Sequence, residues 1–208
     1  MPGVRTCATL SRQCWLFAIG SAFFAAATVP GFSAVAGAGA TNWLCFIGSW
    51  FFTTAAAIQL VLSGQPWKLE WLSAAIQFIG TVLFNVSTGA AVWAHATGVR
   101  RHYVWTPDAL GSIAFLVSAT LGVAAVTIAA GLIAFGSREW QAGWINMIGS
   151  IAFGVSAVGA FVRRTGVTED ALVANLGTFL GALCFLAAAL LVLPRFRERA
   201  PSLRESGT

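Results

Sequence analysis

Gly143-Trp144-Ile145-Asn146-Met147-Ile148-Gly149-Ser150-Ile151-Ala152-Phe153-Gly154-Val155-Ser156 contains no charged residue. It sets a glycine at 149, a small residue at 150, a phenylalanine at 153 and a second small residue at 156. At about 100° per residue, offsets of 0, 1, 4 and 7 share one side of a helix. In lipid, burying apolar surface between helices gains little. A stripe of small residues instead lets backbones approach closely enough for dispersion to act.

The figure recurs along the chain. Its other instances are Gly20-Ser21-x-x-Phe24, Gly48-Ser49-x-x-Phe52, Gly80-Thr81-x-x-Phe84, Gly111-Ser112-x-x-Phe115 and Gly181-Ala182-x-x-Phe185. Small residues follow three places after each phenylalanine, at Ala27, Ala55, Ser87, Ser118 and Ala188, and the last segment adds Gly177-x-x-x-Gly181. Cutting the chain at Pro, Gly and charge clusters places the repeats in six apolar segments, near 13–30, 42–63, 69–95, 106–135, 140–163 and 170–193. The pattern predicts an all-α membrane protein: a six-helix transmembrane bundle with repeated Gly-Ser-x-x-Phe packing seams. Six similar helices group either as three hairpins or as 3+3 inverted halves, the second being common among transporters. The likeness of 42–49 to 143–150 suits inverted halves, while the likeness of 15–21 to 42–49 does not, so both groupings stand.

Composition agrees with this reading. Of 208 residues, 58% are hydrophobic and 9% charged, against about 25% charged in soluble domains, and the mean hydropathy is +0.80. An ordinary soluble domain is excluded. The net charge of +5 reflects orientation rather than a nucleic-acid surface. Arg5, Arg12, Lys68, Arg138, Arg195, Arg197, Arg199 and Arg204 fall on one side, and Arg100, Arg101, Arg163 and Arg164 on the other. That asymmetry puts both termini in the cytoplasm of a multi-pass cell-membrane protein. The expected organisation is a cytoplasmic segment at 1–12, the membrane domain at 13–193 and an Arg-rich cytoplasmic tail at 194–208. Trp15 to Val29 followed by Ala36-Gly37-Ala38 also fits a cleavable leader, but the motif shared with every later segment favours a retained helix.

The motifs Phe84-Asn85-Val86-Ser87-Thr88 and Trp105-Thr106-Pro107-Asp108-Ala109-Leu110-Gly111-Ser112, set among the Gly-Ser-x-x-Phe seams, resemble actinobacterial multi-pass membrane proteins with YrhK-like segments. The likeness spans residues 12–194. It implies a helical membrane fold and carries over no activity and no catalytic or binding residue.

Few groups are available for chemistry. Glu70, Asp108, Glu139, Glu169 and Asp170 fall in the first turns of segments, where carboxylates meet the positive end of the helix dipole; Glu198 and Glu205 lie in the tail. Thr106-Pro107-Asp108 reads as N-cap, N1 proline and second-position acid, and Thr168-Glu169-Asp170 follows the same logic without proline. His95 and His102 flank one loop without further ligands, and Cys7, Cys14, Cys45 and Cys184 form no CxxC, so no metal site is expected. No nucleophile and base occur together, and no cofactor fingerprint is present, which points away from an enzyme.

What remains is polar residues on the seams. Gln77, Asp108 and Asn146 stand three places before their glycines; Asn85 and Thr88 extend the third stripe and Asn175 enters the sixth. Gln77, Asn85, Thr88, Asn146 and Asn175 are either interhelical glue or the lining of a path for a small neutral solute, with the phenylalanines as dry constrictions. Asp108 is accounted for by its cap role. Two functions follow: a passive channel or facilitator, or a structural or accessory subunit with a second copy or another membrane protein as partner.

Overall fold

The computed structural model describes residues 2–94 and 96–194, with side chains from residue 9 onward. His95 and residues 195–208, with the expected tail, lie outside the described residues, as do the side chains of Arg5 and Cys7. Six long helices carry the fold: α1 (Pro2–Thr28), α2 (Phe32–Leu62), α3 (Leu69–Trp93), α4 (Thr106–Ala130), α5 (Arg138–Gly159) and α6 (Ala171–Leu191). Helices α2 to α6 are long and apolar enough to cross a membrane. Helix α1 starts earlier than its apolar segment and includes polar Ser11, Arg12 and Gln13, so its apolar part is the shortest of the six.

Local chemistry sets the ends. The apolar run after α4 ends its helix at Ala130 rather than 135 because Gly131 takes φ 97°, a conformation open to glycine. Leu132, Ile133 and Phe135 are thereby exposed in the connection to α5. Ser137 caps α5, its hydroxyl accepting from the Trp140 amide at 3.2 Å. Asp170, not Thr168, caps α6: its carboxylate accepts from the amides of Leu172 and Val173, both at 3.0 Å. Helix α2 starts ten residues before the expected 42 and kinks at Gly37, where φ is 82°.

The Thr106 N-cap expectation is overturned. Thr97–Val99 and a wider π-helical turn over Arg100–Trp105 run straight into α4, and Trp105 itself has right-handed helical geometry. The Thr106 hydroxyl donates back to the Arg101 carbonyl at 2.9 Å instead of capping a helix start. Asp108 thus sits inside a continuous helical segment, Thr97–Ala130, and the cap role that seemed to account for it is gone.

The helices form a closed ring, α1 to α6 in chain order, with α6 returning to α1. Packing is closest within α1/α2, α3/α4 and α5/α6. Each such pair interlocks reciprocally, the glycine of one helix facing the phenylalanine of the other. A Cβ on Gly20 would stand 2.7 Å from the Phe52 ring, and one on Gly48 3.2 Å from Phe24. The equivalent distances are 2.8 Å for Gly80 to Phe115, 2.6 Å for Gly111 to Phe84, 2.8 Å for Gly149 to Phe185 and 2.6 Å for Gly181 to Phe153. Here the absence of a side chain is what allows the contact.

Of the two groupings left open, the packing follows the three hairpins. Helices alternate in direction around the ring, so a rotation by two places lays hairpin on hairpin. Laying α1–α3 on α4–α6 would take a half-turn about the bundle axis, which preserves direction, whereas α1 and α4 run oppositely.

All six motif phenylalanines meet at the centre and are buried. Phe24, Phe84 and Phe153, from α1, α3 and α5, form one layer with ring centroids 5.6–6.4 Å apart. Phe52, Phe115 and Phe185, from α2, α4 and α6, form the second, with Phe185 5.9 Å from Phe52 and 5.8 Å from Phe115. Outward positions carry large apolar side chains such as Ile79, Ile113, Ile151 and Val158. Trp50, inside α2, is 55% exposed on this outer face.

Candidate functional site

The two phenylalanine layers separate two cavities. One, of about 190 Å³, opens toward the end of the bundle where α1 starts and α6 finishes; its wall includes Gln13, Gln59, Gln77, Ser118 and Asn146, and its floor Phe52 and Phe185. The other, of about 320 Å³, lies at the far end over Phe24 and Phe84; its wall includes Asn42, Thr88, Arg100, Asp108, Asn175 and Thr178. Between them only a pocket of about 10 Å³ remains, walled by Phe24, Phe52, Phe84, Phe115, Phe153 and the small residues Ser49 and Thr81. We call these the proximal cavity, the distal cavity and the plug.

Helix direction decides which residue reaches which cavity. In α3 and α5, positions before the glycine face the proximal end, which places Gln77 and Asn146 there. In α2, α4 and α6 the same position faces the distal end, which places Cys45, Asp108 and Thr178 there. Thr88, after the glycine on α3, and Asn175 join the distal wall. The expected path is therefore divided by the plug, with Gln77 and Asn146 on the proximal side and Thr88 and Asn175 on the distal side. Asn85 lines neither cavity, and its Oδ1 is buried with no hydrogen-bond partner among the described residues.

Some of these groups tie helices together. Ser73 and Ser118 donate to each other's carbonyls at 2.9 and 2.8 Å, and Ser118 also lies 3.3 Å from Gln77 Oε1. Thr88 donates to the Phe84 carbonyl at 2.7 Å and lies 3.1 Å from the Ser49 hydroxyl across the α2/α3 seam. Asn42 donates to the Ala91 carbonyl at 2.8 Å. Such contacts are worth about 0.6 kcal/mol each in membrane bundles. Asn146 and Asn175, by contrast, face their cavities from half-buried positions, and their side chains bond no neighbour among the described residues.

The distal mouth is covered by two connections. Arg100 donates to the Gly166 carbonyl at 3.2 Å, joining the segment before α4 to the α5/α6 loop. Trp105 donates to the Ala157 carbonyl at 2.8 Å and meets the Phe161 ring edge-on at 4.8 Å. Arg101 stands 5.2 Å over the same ring, within cation–π range. The α5/α6 loop is closed by the bridge between Val162 and Thr168 and by the Arg163–Glu169 ion pair. That pair's hydrogen bond lowers the Glu169 pKa below its ordinary 4.5. A depressed carboxyl contributes stability above its unfolded pKa and loses it as pH falls through the folded value. The protection of amides 162–168, taken relative to the intrinsic exchange rate at each pH, is expected to fall only below about pH 4.5. Equal protection at pH 3 and pH 7 would show that the ion pair does not hold the loop.

Among the described residues no group of three His, Cys, Asp or Glu side chains is placed to hold a metal ion, and His102 is exposed on the π-helical turn. Gln13, Gln59, Asn42 and Thr178 are cavity residues that sequence reasoning did not single out, and Arg100 was read there for membrane orientation rather than for a cavity. For Thr178, three places before Gly181, the signal is the alternation of helix direction, which moves a fixed offset from the glycine between the two ends.

Over its described residues the chain is an all-α membrane protein, with six long helices in a ring closed on an aromatic centre. No protein-family model, curated protein or solved structure matches it.

Proposed function

We propose that this protein is a non-enzymatic, passive facilitator for a small neutral solute, with the two phenylalanine layers as its gate. The observation that carries this reading is the axial arrangement: two amide-lined cavities face each other across a dry constriction. Hydrophobic constrictions gate by dewetting, and unbonded amides such as Asn146 and Asn175 suit transient contacts with a polar, uncharged molecule. The excess of Lys and Arg at the end with the termini supports a cytoplasmic placement of both; protease shielding of the tail in intact cells checks it. The motif likeness to YrhK-like proteins is kept as a proposal of kinship, and it brings no activity.

The test is flux through purified protein in proteoliposomes, read by stopped-flow light scattering with glycerol, urea and glycine. Saturable or protein-dependent flux of at least one solute is expected, and Gln77→Leu with Asn146→Leu should reduce it severalfold by removing the proximal amides. Flux equal to protein-free vesicles for the whole panel sinks the reading.

A second reading, a structural or accessory subunit, is favoured by one feature. A lipid-facing groove of about 490 Å³ runs between α4 and α5, walled by Ile113, Leu116, Ile151, Val155 and Val158 above the small residues Ala109 and Gly154. Absent flux together with a crosslinked partner or second copy at this groove supports that alternative.

A further inference from the structure

We propose that the distal cavity is a binding site for a small zwitterion, the Asp108 carboxylate receiving its ammonium group and the Arg100 guanidinium its carboxylate. The inference deepens the facilitator reading by naming the solute class, and rests on that reading for its role in transport.

Both ionic side chains line the cavity of about 320 Å³, at the lower end of the range for small-ligand pockets, about 300–1,000 Å³. Asp108 is half-buried inside a membrane-spanning segment and makes no ion pair or hydrogen bond among the described residues. An ionised group in such a segment is costly unless it meets a counter-charge or a wet cavity. Arg100 holds its place by one N–H to the Gly166 carbonyl at 3.2 Å, and its other guanidinium N–H groups have no hydrogen-bond partner among the described residues. The two charges share a wall without bonding each other. That open gap is what a ligand carrying both charges fills.

Simpler ions fit less well. A cation alone is drawn to Asp108 but meets Arg100 on the same wall, with Arg101 and Arg164 in the covering connections and Arg163 already paired with Glu169. An anion alone is drawn to those arginines and then meets an unpaired carboxylate in the cavity wall. A molecule with both charges and no net charge satisfies each group, while Asn42 and Asn175 supply uncharged contacts along its length.

The experiment is isothermal titration calorimetry on the full chain in lipid nanodiscs. The probes are glycine, β-alanine and γ-aminobutyrate, which step the charge separation, against choline, acetate and urea. At least one zwitterion is expected to bind about tenfold or more tighter than choline or acetate, and Asp108→Asn and Arg100→Gln should each weaken it by about tenfold or more. Asp108→Glu, which keeps the charge, should retain measurable binding if Asp108→Asn does not yield folded protein. Choline or acetate binding as tightly as every zwitterion, no zwitterion binding, or zwitterion affinity unchanged in the folded variants overturns the proposal. Zwitterion binding without flux removes the facilitator reading alone; urea flux without zwitterion binding removes this inference alone.

Discussion

Phe153→Ala is expected to raise the water and urea permeability of reconstituted vesicles severalfold while lowering stability by about 3–5 kcal/mol. Phe153 touches more of the plug than any single layer requires: its ring lies 5.2 Å from Phe185, 5.6 Å from Phe84, 6.2 Å from Phe115 and 6.3 Å from Phe24. Each aromatic pair adds about 0.5–1.5 kcal/mol beyond simple burial, so removing this ring removes several pairs at once. It also removes part of the wall between the proximal and distal cavities, where only about 10 Å³ is now open. The useful control is Phe23→Ala. Phe23 stacks on Phe51 at 5.7 Å between α1 and α2 but lies outside the central cluster, so it should cost stability without changing permeability. A Phe153→Ala protein that melts earlier yet leaks no more than the parent would reduce the plug to packing alone.

Gly177→Ala is expected to be among the most damaging single methyls in the bundle, costing about 3 kcal/mol and lowering Tm in detergent sharply. At the six motif glycines the nearest obstacle is a side-chain atom of the partner helix, a phenylalanine ring at five of them. At Gly177 an added Cβ would meet the Ala152 carbonyl oxygen at 2.7 Å and the Ser156 amide nitrogen at 2.8 Å. Those are backbone atoms of α5, and no rotamer change relieves them. The helices would have to separate, loosening the Ser156 hydroxyl from the Ala174 carbonyl, now at 2.6 Å. Gly39→Ala, with nothing within 4 Å of its added Cβ, should melt like the parent. If Gly177→Ala does the same, the close α5/α6 crossing is not what holds that hairpin.

The helical bundle and its seams were largely legible in the chain because one figure, glycine and phenylalanine four apart, does two jobs in every helix. The glycine admits the partner's ring, and the phenylalanine fills the partner's gap. What the pattern could not convey was direction. Gln77, Asp108 and Asn146 share an offset from their glycines, yet α4 runs opposite to α3 and α5, so Asp108 faces the other cavity. The π-helical turn at Arg100–Trp105 was equally hidden. Thr106-Pro107-Asp108 has the chemistry of a helix start, and only the wider turn before it makes the same three residues interior. Resemblance among segments likewise left hairpins and halves undecided, because likeness of sequence does not record which way a helix points.

The reciprocal interlock bears on how the bundle is made. Each hairpin contains both the glycine and the ring needed to satisfy its own seam, so each pair can enter the bilayer already self-fitted, without waiting for later chain. The contact of α1 with α6, by contrast, exists only once the last helix has arrived. Synthesis therefore passes through stages with one and then two finished hairpins, whose phenylalanines lack first two and then one of their partner pairs. The aromatic centre is the last part to form, and its completion marks the moment at which an open fan of helices becomes a closed vessel.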